Sequence, residues 1–203
     1  MILYEDQLKD YKWNIETKKA HRKGKDGTYK KDKYLNDIIT FDIECTSAWL
    51  KDGKVIGYEK GHDQEYWNNL EPLALCYLWQ CSINDTVYYG RELETFKLLL
   101  NDLPDDVHII IWIHNLSYEF QFLANILTWE KVFARMPHKA IKASCEEYPL
   151  IEFRCTYMLT RLSLDSWGKQ IGVKKATGDL DYDVIRTPHT PLTDKELRYG
   201  EQD

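Results

Sequence analysis

Ile39, Phe41 and Ile43 alternate with Thr40, Asp42 and Glu44, the two-residue period of a strand with one apolar and one polar face. Leu73–Ile83 and Thr86–Tyr89 continue the β pattern, and Asn84-Asp85 between them has the residue types of a hairpin turn. At Leu93 the period changes: Leu93, Phe96, Leu99, Leu100 and Leu103 recur at helical spacing. Val107–Ile113 is almost unbroken in apolar residues, which predicts a strand buried on both faces. Ser117 stands where it can cap a helix running to about Thr128, with Phe120, Leu123, Ala124 and Leu127 turned inward. Two further strands are expected near 131–143 and 150–159. Ser163–Ile171 reads as a short helix stopped by Gly172, and Thr193-Asp194-Lys195-Glu196 is a capping box that opens a last helix. Residues 47–70 read as a loop containing Gly and Trp. The order βββαβαββαα predicts an α/β domain, a mixed β-sheet flanked by helices.

Residues 1–36 have a different texture. They are polar and Lys-rich, carrying ten basic and six acidic residues, so this arm is +4 and the remainder −10 in a chain of net −6. We expect a mobile or loosely docked arm with a hairpin around Lys25-Asp26-Gly27-Thr28, followed by a domain over 37–203. A basic arm beside an acidic body can touch phosphates while the body gathers cations.

With 203 residues and 43% hydrophobic content, the chain can bury one well-packed domain. No apolar run is long enough to span a membrane and no secretory pattern opens the chain, so we expect a soluble cytoplasmic protein without a membrane partner. Five scattered cysteines without a C-x-x-C pair fit reduced thiols, not a disulfide frame or structural zinc.

Three segments carry candidate chemistry. Asp42-Ile43-Glu44 places two carboxylates on one strand face, about 6.6–6.8 Å apart, where they repel each other unless a cation intervenes. Hard divalent ions such as Mg²⁺ suit such oxygen ligands. His114-Asn115-Leu116-Ser117-Tyr118-Glu119 lies between the most apolar strand and a helix, the place where α/β sheets hold ligands. There Glu119 falls in a first helical turn, Asn115 offers an amide and Tyr118 a ring on which a base can stack. Tyr199-Gly200-Glu201-Gln202-Asp203 puts Tyr199 and Asp203 on one helix face.

In this order, D-x-E, H-N-L-x-Y-acid and Y-x-x-x-D resemble the three exonuclease motifs of the DEDD superfamily, in its Tyr branch. Arg198 stands where the other branch has His. Thr177-Gly-Asp-Leu-Asp-Tyr182 before the last motif, and Ser163-Leu164 with Trp167, narrow the resemblance to the proofreading domains of protein-primed, phage-type family B DNA polymerases. The similarity spans about residues 37–203.

That resemblance implies a ribonuclease H-like fold and hydrolysis of single-stranded 3′ DNA ends with two Mg²⁺ or Mn²⁺ ions about 3.5–4 Å apart. It implies that Asp42 bridges the ions, that Glu44 and Asp203 complete the site of the one that activates water, and that Glu119 holds the other. Tyr199 would orient the attacking water, and Asn115, Tyr118, Ser163 and Leu164 would hold the last nucleotides. The parent polymerase part, a priming protein and the single-stranded 3′ end are the implied partners, in a host cytoplasm if the chain is phage-encoded. No polymerase motif is present, and the chain reads as a domain cut after the third motif.

This sequence departs from the family pattern in three places. Glu119 stands for Asp, Cys45 for Thr, and Thr177–Leu180 lacks a Lys, which Lys174 or Lys175 could replace. These departures leave a second reading: an impaired exonuclease fold that binds single-stranded DNA, a polymerase or a priming partner. A nuclease acting on RNA is a third.

Overall fold

The computed structural model describes residues 1–203 except 24, 26, 174–179, 182, 183 and 203. The chain runs β1 (Ile2–Leu3), β2 (Ile15–Lys23), β3 (Tyr29–Leu35), β4 (Ile39–Lys51), β5 (Lys54–Ile56), α1 (Gln64–Asn68), β6 (Glu71–Ile83) and β7 (Thr86–Gly90). It continues with α2 (Phe96–Asp102), β8 (Ile109–Ile113), α3 (Glu119–Leu123), β9 (Trp129–Ala134), β10 (Ala140–Cys145), β11 (Ile151–Cys155), α4 (Tyr157–Thr160), α5 (Leu164–Ile171) and α6 (Asp194–Gln202).

Among the described residues, nine strands form one mixed sheet in the order β1-β7-β6-β4-β8-β11-β10-β9, with β5 paired to β4. β4 is central because its alternation is the cleanest: Ile39, Phe41 and Ile43 are 0–4% exposed. They meet Phe96, Leu99 and Leu100 of α2, and Leu116 and Leu123 around α3, in one apolar core. Fully burying side chains of this size stabilises by about 1.5–3 kcal/mol each.

β8 corrects one expectation. Ile109, Ile111 and Ile113 are buried, but Ile110 and Trp112 are half-buried, because the second face of the sheet lies open to a cleft over Trp112. The run is apolar on both faces, yet only one is sealed. The predicted strand at 131–143 is two strands, broken where Arg135 and Lys139 close a turn around Pro137 and His138, the latter at φ 59°. The one expected over 150–159 stops at Cys155, and Tyr157–Thr160 turns helical.

Residues 47–70 are not a plain loop. β4 overshoots to Lys51, turns at Asp52 and Gly53, both at positive φ (50° and 73°), and returns as β5. A two-residue turn of this kind needs a left-handed pair, which Asp-Gly supplies. Trp49, Tyr58 and Trp67 close this excursion as an aromatic cluster, with the Trp49 and Trp67 rings 4.4 Å apart.

The N-terminal segment divides in two. Residues 2–3 pair in parallel with β7, and Tyr4 and Leu8 are 6% and 1% exposed in the core, so the first residues are docked, contrary to a loose arm. Apolar side chains at positions 4 and 8 account for this. The expected hairpin is present as β2–β3. Among the described residues, no helix is long and apolar enough to cross a membrane, and the five cysteines are unpaired.

Candidate active site

β4 and β8 run parallel and pair at Ile39↔Ile111 and Thr40↔Trp112. Beyond that point β4 carries Asp42 and Glu44 onward while β8 ends at Ile113 and the chain turns. A crevice outside the carboxyl ends of parallel strands is where such sheets hold ligands. The turn is made by Asn115 at φ 60°, a left-handed conformation that Asn tolerates better than most residues. Leu116, fully buried, anchors it, and Asn115 and Tyr118 are left exposed. Ser117 does not cap the helix as expected. Its Oγ accepts the Ala140 N–H at 2.9 Å, and Tyr118 at the cap position has no side-chain capping bond.

Glu119 opens α3 at 3% exposure and meets Asp42 directly. Burial, and then the charge and hydrogen-bonding contact of Asp42, push the Glu119 carboxyl up to about 9. The folded protein therefore keeps a proton, or takes up a cation, where two anions would repel. Oε2 of Glu119 is buried with no hydrogen-bond partner among the described residues. Asp42 is held from the other side by Gln80 of β6, whose Nε2 donates to Oδ2 at 3.1 Å. Glu44 is 8% exposed on the same strand face. Immediately after it a bulge shifts the β4–β6 register, from Glu44↔Leu78 to Cys45↔Cys76, a device that re-aims side chains beside sites. The Cys45 thiol shares a hydrogen bond with the Tyr118 hydroxyl, so the residue in place of Thr is tied to a predicted nucleotide contact. Burial raises the Cys45 thiol, while the Tyr118 bond lowers it and Glu44, Glu119 and Asp42 add further upward pressure.

The last helix is tied to this strand by residues that sequence reasoning missed. Glu196 of the capping box accepts the Thr193 N–H and hydroxyl at 2.7 and 2.8 Å. Its other oxygen takes Arg186 Nε at 2.8 Å. Arg186, 5% exposed, also donates to the Asp181 and Val184 carbonyls, and its backbone N–H donates to Thr46 of β4. Gly200 lies against Gln80: an added Cβ would stand 2.3 Å from Oε1. Tyr199, beside it, is buried. Gln80 was detectable as a lone amide within an apolar run, whereas Arg186 carried no signal.

Asp42, Gln80, Trp112, His114, Leu164 and Trp167 line a cleft of about 430 Å³ on this second face. His114 stacks with Trp167 and shares a hydrogen bond with Thr156 at 3.0 Å. Ser163, a predicted nucleotide contact, caps α5 by accepting the Ser166 N–H at 3.2 Å. Thus Asp42 meets Glu119, Glu44 and Tyr118 stand around Cys45 beside that pair, Leu164 lines the cleft, and Asn115 is exposed at the turn after β8. Asp203, Lys174 and Lys175, with most of the Thr177–Tyr182 stretch, lie outside the described residues. Among the described residues, no three His, Cys, Asp or Glu side chains gather tightly enough to hold one ion. The pair of Asp42 and Glu119, with its unpartnered buried oxygen, still has the chemistry of a cation seat.

No family profile matches the chain, and no curated protein matches it in sequence. Solved structures do. Phi29 DNA polymerase complexed with single-stranded DNA superposes with a TM-score of 0.58 at 13% identity, over 82% of this chain and 29% of that one. Phi29 DNA polymerase complexed with primer-template DNA and incoming nucleotide substrates gives 0.57 at 12%, over 82% and 28%. The chain therefore spans less than a third of the length of those polymerases. At such identity the likeness establishes architecture: the fold is the ribonuclease H-like α/β arrangement, a mixed sheet flanked by helices.

Proposed function

We propose that this chain is a two-metal 3′→5′ exonuclease domain that hydrolyses phosphodiester bonds at single-stranded 3′ DNA ends and proofreads for a protein-primed family B polymerase. The observation that carries this reading is the contact between Asp42 and Glu119, two carboxyl groups from separate elements with one oxygen buried and unpartnered among the described residues. Mg²⁺ or Mn²⁺ held by Asp42, Glu44, Glu119 and Asp203 would stabilise the charge developing on the attacking and leaving oxygens. The chain's own groups do the remaining work. Gln80 fixes the Asp42 carboxylate. Asn115 and Tyr118 present an amide and a ring to the terminal nucleotides, and Leu164 walls the cleft. Tyr199 orients the attacking water, since a phenol with an ordinary value near 10 is a poor base at neutral pH.

The second reading, a module that binds single-stranded DNA or a polymerase or priming partner without cleaving, is favoured by the departures from the family pattern: Glu119 stands for Asp, and Thr177–Leu180 lacks a Lys. Degradation of a 5′-labelled oligonucleotide with a 3′ overhang separates the two, run with Mg²⁺, Mn²⁺ or EDTA beside Asp42→Ala. A metal-dependent ladder shortening from the 3′ end, absent in the variant, supports the exonuclease. Binding without cleavage supports the second reading. Glu119→Asp then tests the site directly: a gain in rate means that the longer side chain is a defect, and a loss means that the site has adapted to Glu.

A further inference from the structure

The exonuclease reading leaves β2–β3 without a role. Residues 15–35 carry eight basic and three acidic residues, a net +5 in a chain of net −6, so the remainder is −11. Among the described residues β2 and β3 form a separate two-stranded sheet. It joins the body at its root, where Tyr34 bridges and stacks on His108 and Lys33 pairs with Asp106.

The register divides its charges between two faces. Glu16↔Tyr34 and Lys18↔Asp32 lie on one, where Lys18 pairs with Glu16 at 2.9 Å and stands over the Tyr34 ring. That face is neutralised internally. Thr17↔Lys33 and Lys19↔Lys31 lie on the other. Lys19 and Lys31 are directly opposite, both exposed, and neither makes an ion pair among the described residues. Like charges opposite each other in a ladder are destabilising, and a polyanion relieves them. Lysines also keep a free sheet edge from pairing with other chains, but that role does not require cations to gather on one face.

We propose that the Lys19–Lys31 face of this ribbon binds the phosphate backbone of duplex DNA, away from the 3′ end being trimmed. A two-stranded β-ribbon fits the major groove, and neutralised phosphates release counterions. Position points to duplex over frayed strand. The ribbon roots at His108, just before β8, and His114 follows just after that strand, six residues on, so roughly 20 Å separates the root from the turn at the site. That is about six base pairs at 3.4 Å each. An acidic body repels nucleic acid, and this ribbon supplies the attraction.

The duplex preference rests on the exonuclease reading, so its test is binding in EDTA, where no hydrolysis occurs. Fluorescence anisotropy of the full chain is followed against salt on a duplex of about 20 base pairs with a short 3′ overhang, and on a three-nucleotide single strand too short to reach the ribbon. The double variant Lys19→Gln/Lys31→Gln is compared with Lys131→Gln on β9, and thermal melting verifies that all are folded. The double variant should bind the duplex at least about tenfold more weakly, with the salt slope shallower by about 1.8, or 0.9 for each phosphate no longer neutralised. Lys131→Gln should change neither value, and the three-nucleotide strand should bind all variants alike. An unchanged duplex slope, or an equal loss on the short strand, overturns the proposal. Weakened duplex binding in a chain that cleaves nothing would leave the ribbon standing and remove the exonuclease.

Discussion

Phe41 and Asp42 are neighbours on β4 and live in different solvents. On Phe41's side of the sheet, Ile39, Ile43, Trp79, Ile111 and Phe153 are 0–4% exposed and meet Phe96 and Leu99. On Asp42's side stand Thr40, Glu44, Gln80 and Ser82, where Thr40 and Ser82 hydroxyls bond each other at 2.6 Å and Gln80 holds Asp42. Alternation thus hands stability and chemistry to separate residues of one strand. The dry face can hold β4 straight while the wet face carries carboxyl groups that oppose one another.

The contrast breaks most visibly in a pair of variants. Asp42→Ala should lower hydrolysis by about 100- to 1,000-fold or more and leave the melting temperature unchanged or raised, because the anion beside Glu119 is removed. Phe41→Ala, one residue away, should cost about 3–5 kcal/mol, a fall of roughly 6–20 °C for a chain of this size. Equal melting temperatures for the two would refute the division of labour. Gly200→Ala comes next: a Cβ placed 2.3 Å from Gln80 Oε1 should cost about 1–3 kcal/mol by overpacking. In a double-mutant cycle Gln80→Ala should recover most of that loss, and additivity would place the strain elsewhere.

The smallest effect sharpens the wet face. In metal-free protein the folded Glu119 carboxyl is held up to about 9 against 4.5 for the free group. The folded form thus binds a proton that the unfolded chain releases, so its contribution is full below about 4.5 and is lost as pH rises toward 9. Glu119→Gln should remove this dependence and melt higher than the wild type at pH 8. Mg²⁺ or Mn²⁺ should raise the wild-type melting temperature more than the variant's. Superimposable pH–stability curves would detach Glu119 from the proposed cation seat.

Much was legible because it rests on local rules. The β4 alternation, the Asn84-Asp85 turn, the Leu93–Leu103 spacing and the Thr193–Glu196 cap all survive into the structure. That Asp42 and Glu119 share one site was implied by the motif resemblance alone, and no strand or helix period carries it. Expectations failed where a residue's partner is distant in sequence. Ser117 was free to cap α3 but bonds Ala140, and the apolar outer face of β8 borders a cleft instead of a helix. Asp52-Gly53 was a readable turn passed over within a longer apparent loop.

The sequence by itself determined which side chains could share a strand face, which residues could cap or turn, and that three acidic segments follow one another along the chain. Those are properties of a period of two or 3.6 residues and of side chains acting within a few positions. Only the tertiary structure decided that Glu119 meets Asp42, that Gln80 holds Asp42 and lies against Gly200, that Arg186 fastens the carboxylate strand to α6, and that Lys19 faces Lys31. Each of these brings together groups from separate elements, and the spacing of residues along a chain does not encode how far apart the elements stand once they are packed.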